Sequence, residues 1–209
     1  MRLHQIYPTS VAEDQIVPTK ELVDHINNLE LVPHGEQHEN LDNIYGLRSK
    51  DTYIFDQPIF KSLREQFEKK ALWLMQAKME KDVKEAKMLQ SWVSVKKPGQ
   101  AHIRHKHSNC VVCGVWWYEY DELNPPMPLY LHRHDLSFQD SYAVRSMKTD
   151  WYYQPKATGV FVLFPAYTYH SVPTNIRTKE RKSIAFNIGV SDKIGYDSSL
   201  NEMKFERLV

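Results

Sequence analysis

Residues 91–120 read SWVSVKKPGQ AHIRHKHSNC VVCGVWWYEY, and this stretch decides the fold. Residues 91–95 have the composition of a strand, and Lys96-Lys97-Pro98-Gly99 reads as a turn. Residues 101–107 form a second strand candidate. Residues 111–120, rich in Val, Trp and Tyr, form a third. Downstream, Asn124-Pro125-Pro126 breaks the pattern and Leu129-Tyr130-Leu131 resumes it. Residues 159–164 have the composition of a buried strand ended by Pro165, and residues 183–190 make the last one. Upstream the texture differs. Residues 6–17 are mixed and turn-prone. Pro18-Thr19 opens a short amphipathic helix with Leu22, Val23, Ile26 and Leu29 on one face. Residues 34–48 are polar and loop-like. A longer helix begins at Asp56-Gln57-Pro58, with Phe60, Leu63, Phe67, Ala71, Leu74, Met75 and Met79 at helical spacing. The mixed charges of residues 80–87 read as its solvated end. Helices first and many short strands later predict a mainly β chain, a sandwich or barrel with N-terminal helices packed against it. With no repeat or linker, the expectation is one domain: a helical flank over 1–88, a β core over 89–192 and a tail over 193–209.

The composition fits this picture. Of 209 residues, 42% are hydrophobic and 25% charged, which excludes collagen-like, low-complexity and wholly disordered chains. Lys and Arg number 27 against 26 Asp and Glu, so no basic field exists to attract nucleic acid. No apolar run approaches the roughly 18 residues of a membrane span. The start, MRLHQIYP, turns polar before a signal-peptide core forms. Two cysteines, Cys110 and Cys113, make no disulfide framework. The expectation is a cytoplasmic protein with neither membrane nor nucleic acid as partner.

The histidines carry the chemistry. His105 and His107 stand two apart on a predicted strand, so both side chains leave the same face. That spacing offers two imidazoles to one metal ion, and His170, beyond the buried strand and Pro165, is the natural third ligand. Eleven residues later come Arg181 and Ser183, again two apart. Arg presents a planar fork of donors to a carboxylate, and a nearby hydroxyl adds another hydrogen bond.

The order His-x-His, distal His, Arg-x-Ser resembles the Fe(II)- and 2-oxoglutarate-dependent oxygenases, whose core is a double-stranded β-helix (jelly roll). The stretch from Trp92 resembles a group of such oxygenases found in bacteria and phages. The residues that carry the likeness are Trp92, Gly99, His105-Lys-His107, Cys113-Gly-Val-Trp-Trp-Tyr118, Phe164-Pro165, His170, Arg181-Lys-Ser183 and Phe186-Asn187. The resemblance implies that His105, His107 and His170 hold Fe(II). It implies that Arg181, helped by Ser183, binds the far carboxylate of 2-oxoglutarate while the keto-acid end chelates the iron. The implied reaction is a hydroxylase type, turning 2-oxoglutarate into succinate and carbon dioxide as a substrate is oxidised. Tyr118, Trp116 and Asn187 are candidate pocket residues, and Tyr169 could line the cavity. His107 departs from the usual set of two His and one carboxylate. A carboxylate from another segment, Asp135 being nearest in pattern, is the alternative.

Three rivals share these residues. A three-His cupin-type metalloenzyme has the same jelly roll and needs no 2-oxoglutarate; Gly99 six before His105 fits it, but it leaves Arg181 idle. A jelly-roll binding module without catalysis is the second. The third is a zinc site from His105, His107, Cys110 and Cys113. On a continuous strand those cysteines point to opposite faces, so it needs a turn between them. If Ser108-Asn109 is that turn, both cysteines belong to the following strand. His132 and His134 repeat the His-x-His spacing without a matching distal partner. The expected substrate is a protein side chain such as prolyl, a free small molecule or a nucleotide, and a homodimer fits a fold of this kind.

Overall fold

The computed structural model describes residues 9–34, 45–78, 83–132 and 150–190, with short strands at 193–194 and 203–204. In chain order the elements are β1 (Ala12–Gln15), α1 (Lys20–Asn27), β2 (Leu31–Pro33), β3 (Leu47–Ser49) and α2 (Lys61–Lys78). Then follow β4 (Ala86–Lys96), β5 (His102–His105), β6 (Val112–Trp117), β7 (Leu129–His132) and β8 (Asp150–Tyr153). The last are β9 (Val160–Pro165), β10 (Tyr169–Val172), β11 (Arg181–Val190), β12 (Lys193–Ile194) and β13 (Met203–Lys204).

Two antiparallel sheets face each other. The larger runs β1-β9-β6-β11-β4-β3-β2 and the smaller β5-β10-β7-β8. Side-chain alternation sorts each long strand between two environments. On β4 and β11, Val93, Val95, Ile184, Phe186 and Ile188 join the helices in one core. Trp92, Ser94, Lys96, Arg181, Ser183 and Ala185 face the other way, into the space between the sheets. A second apolar cluster, with Val115, Trp117, Leu129, Leu131, Val162 and Phe164, closes that space from behind.

The helices form as their sequences dictate. Thr19 caps α1, its Oγ1 accepting from the Leu22 amide at 3.2 Å, while Leu22 and Ile26 are buried. Before α2 come two 3₁₀ turns, Ile54–Asp56 and Pro58–Phe60; Phe60, Leu63, Phe67, Ala71, Leu74 and Met75 then fill the core against the large sheet. Met79 lies outside the described residues. Gly114 is required where Phe186 crosses β6, because a Cβ there would run into the ring.

The segment expected to be a helical flank over 1–88 also supplies three strands to the large sheet. β1, Ala-Glu-Asp-Gln, pairs with β9 at the sheet edge and is largely exposed, so it has no apolar alternation to read. β4 begins at Ala86, within residues expected to end a helix. Among the described residues, no helix is long and apolar enough to cross a membrane.

Candidate metal centre

β5 ends at His105, and His107 follows it rather than continuing the strand; its amide donates to the Ala166 carbonyl at 3.2 Å. On β10, His170 is the antiparallel partner of His105. Two segments thus deliver three imidazoles to one point. Ring centroids are 4.1 Å apart for His105 and His170, 5.0 Å for His107 and His170, and 5.2 Å for His105 and His107.

Each ring is fixed by what its Nδ1 meets. His105 Nδ1–H donates to the Ile103 carbonyl at 2.8 Å and His170 Nδ1–H to the Thr168 carbonyl at 3.1 Å. His107 Nδ1–H donates to Asn187 Oδ1 at 2.6 Å. These oxygens only accept, so each Nδ1 carries the proton and each Nε2 keeps a lone pair. The Nε2 atoms of His105 and His107 then face one another at 3.2 Å, two acceptors with nothing to share. A cation between them removes that repulsion. Nitrogens bound side by side on one ion at about 2.1 Å sit roughly 3 Å apart, close to this spacing. Oxygen acceptors behind each Nδ1 are the usual support of metal-binding histidines.

Burial disfavours a charge on His105 and His170. It pushes His170 down to about 3 and lowers His105 as well. Burial opposes a charge on His107 too, but bonds with Cys110 and Asn187 outweigh it and raise this pKa. Among the described residues, no carboxylate joins the trio. Asp135 and His134 lie outside the described residues.

Arg181 and Ser183 open the same pocket from β11, across from Lys96 and Ser94 on β4. Arg181 is buried, its Nε has no hydrogen-bond partner, and desolvation lowers its pKa to about 10. Trp92, Phe164, Val172 and Leu129 supply apolar walls. His102 stacks on His105 at 4.4 Å and is held well below its ordinary pKa, chiefly by burial.

Sequence reasoning placed His105, His107, His170, Arg181 and Ser183 together, and the structure brings them together. Trp116 and Tyr118, candidates for the pocket with plain core as the alternative, are core residues. Both lie in the core on the helix side, where Trp116 Nε1 donates to the Ile16 and Gly159 carbonyls at 3.0 Å and Tyr118 hydroxyl donates to Asn27 at 3.3 Å. Their parity on β6 is responsible, since odd positions there face the other sheet and even ones the helices. Tyr169 stands under Arg104 and Lys106 rather than in the pocket. Asn187 reaches the site through His107. His132 bonds Ser171 Oγ at 2.8 Å.

The cysteines also differ from expectation. Asn109, at φ +62°, turns the chain, and Cys110 precedes β6 instead of sharing its alternation. The two sulfurs come within 3.9 Å, and with His107 they form a second trio of ligand atoms. The bond from Cys113 draws Cys110 down to about 5. Lys96 and His102 were missed; reading residues 96–99 as a turn hid the alternation that carries Lys96 onto the pocket face.

Comparison with known proteins gives the following. Residues 90–187 match the family model described as "Putative 2OG-Fe(II) oxygenase". No curated protein matches the chain. Among solved structures, a Pseudomonas putida prolyl-4-hydroxylase is similar at TM-score 0.60 and 14% identity, over 86% of this chain and 92% of that one. SnoK, a non-heme alpha-ketoglutarate-dependent carbocyclase from nogalamycin biosynthesis, aligns at TM-score 0.57 and 13% identity, over 88% and 81%. HygX from Streptomyces hygroscopicus, solved with nickel, 2-oxoglutarate and hygromycin B bound, aligns at TM-score 0.54 and 11% identity, over 87% and 83%. At such identities the likeness shows the shared jelly-roll fold.

Proposed function

Because residues 90–187 belong to the 2OG-Fe(II) oxygenases, we propose that His105, His107 and His170 hold Fe(II) and that Arg181, with Ser183, receives the distal carboxylate of 2-oxoglutarate. The chain is an oxidoreductase of the non-haem iron type, and the family's cofactor and co-substrate are Fe(II) and 2-oxoglutarate.

When bound, iron with 2-oxoglutarate and dioxygen supplies the oxidant for a substrate C–H bond, releasing succinate and carbon dioxide. The chain's own residues do the positioning. Ile103, Thr168 and Asn187 hold three protons on Nδ1 atoms, so three neutral donors stay aimed at one point without reorganisation. Arg181 offers a planar cation that burial has already stripped of water. Trp92, Phe164 and Val172 keep bulk water from the reacting centre.

The observation that carries this reading is a set of three lone pairs converging beside a buried arginine with an unpaired Nε. A cupin-type enzyme needs the histidines alone and gives Arg181 nothing to do. The substrate belongs to the small-molecule or peptidyl class. A reducing, cytoplasmic setting suits Cys110 and Cys113, which are free thiols.

The test is anaerobic titration of metal-free protein with Fe(II) and then 2-oxoglutarate, following the weak visible charge-transfer band of the chelate. The band should form in the wild type and be lost in Arg181→Ala while iron still binds. Iron without a band would favour the cupin, and failure to bind iron would overturn the histidine assignment.

A further inference from the structure

The pocket holds a second buried cation for which the reading above has no role. Lys96 ends β4 with 2% of its surface exposed, directly opposite Arg181 in the β4–β11 register. Its Nζ donates to the Tyr45 carbonyl. The groups facing it from each neighbouring element are neutral or positive. Arg181 comes from β11, His102 from β5, His34 from just after β2, and Gly46 lies against its aliphatic stem. Among the described residues, no carboxylate pairs with Lys96 or with Arg181.

Two buried cations side by side without a counter-charge are a poor way to fill space. A methionine would occupy the same volume with no charge to desolvate. Desolvation and the repulsion of Arg181 draw the Lys96 ammonium down to about 7. Both groups border the space that the histidine trio also borders, and Ser94 and Ser183, opposite one another in the register, line it beside them. Such a set is a receptor prepared for an anion.

We propose that Lys96 is a second anchor for the distal carboxylate of 2-oxoglutarate, sharing it with Arg181, and that it makes the pocket selective for oxo acids bearing a second carboxylate. The proposal rests on the reading of this pocket as the 2-oxoglutarate site and assigns it a specificity residue.

The experiment is anaerobic titration of the Fe(II)-loaded protein with 2-oxoglutarate and with 2-oxopentanoate, which lacks the distal carboxylate, in wild type, Lys96→Met and Lys96→Arg. Both acids present the same keto-acid end, so the visible band reports each. In Lys96→Met, affinity for 2-oxoglutarate should fall by about 10–100-fold, the size of a lost bond to a charged group. Affinity for 2-oxopentanoate should stay within twofold, which also certifies an intact fold. Lys96→Arg should recover part of the loss. If the wild type gives a band with 2-oxoglutarate and Lys96→Met keeps its affinity, or loses both acids equally, Lys96 is no anchor although the pocket reading stands. If neither acid gives a band in the wild type, the pocket reading fails and the proposal with it.

Discussion

Lys96→Met should make the ligand-free protein more stable at neutral pH. The ammonium is held at about 7 in the fold against 10.5 when free. The difference, 10.5 less about 7, is roughly 3.5 units, which bounds the charge penalty at about 5 kcal/mol. Methionine forfeits the bond to the Tyr45 carbonyl and leaves that oxygen unsatisfied, worth about 1–3 kcal/mol. The net gain is then about 2–4 kcal/mol, or roughly 4–16 °C in Tm for a chain of this size. Thermal or urea unfolding of both metal-free proteins measures it. The pH dependence fixes the cause. Lys96 has a folded pKa below its unfolded one, so between pH 7 and 10.5 the unfolded chain binds more protons. Wild-type stability therefore recovers as pH rises through that window, and the gap to Lys96→Met, smaller at pH 7 than the full charge penalty, closes after about 1.5–3 units and then reverses. His34, His102 and His105, whose pKa values the Lys96 charge lowers, stay largely neutral across this window in both proteins, so the other groups cancel in the difference. A variant less stable than wild type at pH 7, or a gap equal at pH 7 and 10, would refute the reasoning.

His170→Ala should lose stoichiometric Fe(II), read by calorimetry or metal analysis, while circular dichroism stays native; full iron retention would remove His170 from the ligand set. Cys110→Ser with Cys113→Ser should leave iron content unchanged, and loss of iron would shift the metal toward the thiol trio with His107. Trp116→Phe should cost about 1–3 kcal/mol in urea unfolding, because the Ile16 and Gly159 carbonyls lose a shared donor. Its 2-oxoglutarate affinity should match wild type, since Trp116 lies on the helix side of the sheet.

The parts of this molecule legible in sequence are those whose patterns are local. α2 was readable because Phe60, Leu63, Phe67, Ala71, Leu74 and Met75 repeat at helical spacing and are all buried. β9 was readable from its apolar run, and the trio from the two-residue step at His105 and the histidine after Pro165. What stayed hidden is set by pairing between distant segments. β1 is polar and exists because β9 offers it an edge. Trp116 and Val115 are equally apolar, and only the register with β11 and β9 decides which faces the helices. Lys96 looked like a turn residue because Pro98 and Gly99 follow it, yet the register with Arg181 extends the strand through it. Cys110 and Cys113 looked incompatible on one strand, and because the strand begins only at Val112 the chain from Cys110 escapes its alternation and brings the two sulfurs together.

The charges of the site join these observations into a further consequence. The three imidazoles bring no charge, and no described carboxylate joins them, so a bound Fe(II) keeps both positive charges beside Arg181 and Lys96. Apart from the Cys110 thiol behind His107, the negative charge of the pocket must then arrive with the co-substrate. Iron and 2-oxoglutarate should accordingly favour each other more than in a site where the protein contributes a carboxylate. Coupling between bound groups is typically about 1–3 kcal/mol, so saturating 2-oxoglutarate should tighten Fe(II) binding by about 5–150-fold, and iron should tighten 2-oxoglutarate by the same factor. Anaerobic calorimetric titrations of metal with and without co-substrate, and of co-substrate with and without metal, measure both legs of the cycle. In Lys96→Met and Arg181→Ala one repelling cation is gone, so Fe(II) alone should bind more tightly than in wild type while the coupling shrinks. An Fe(II) affinity indifferent to 2-oxoglutarate would mean that the protein itself neutralises the metal.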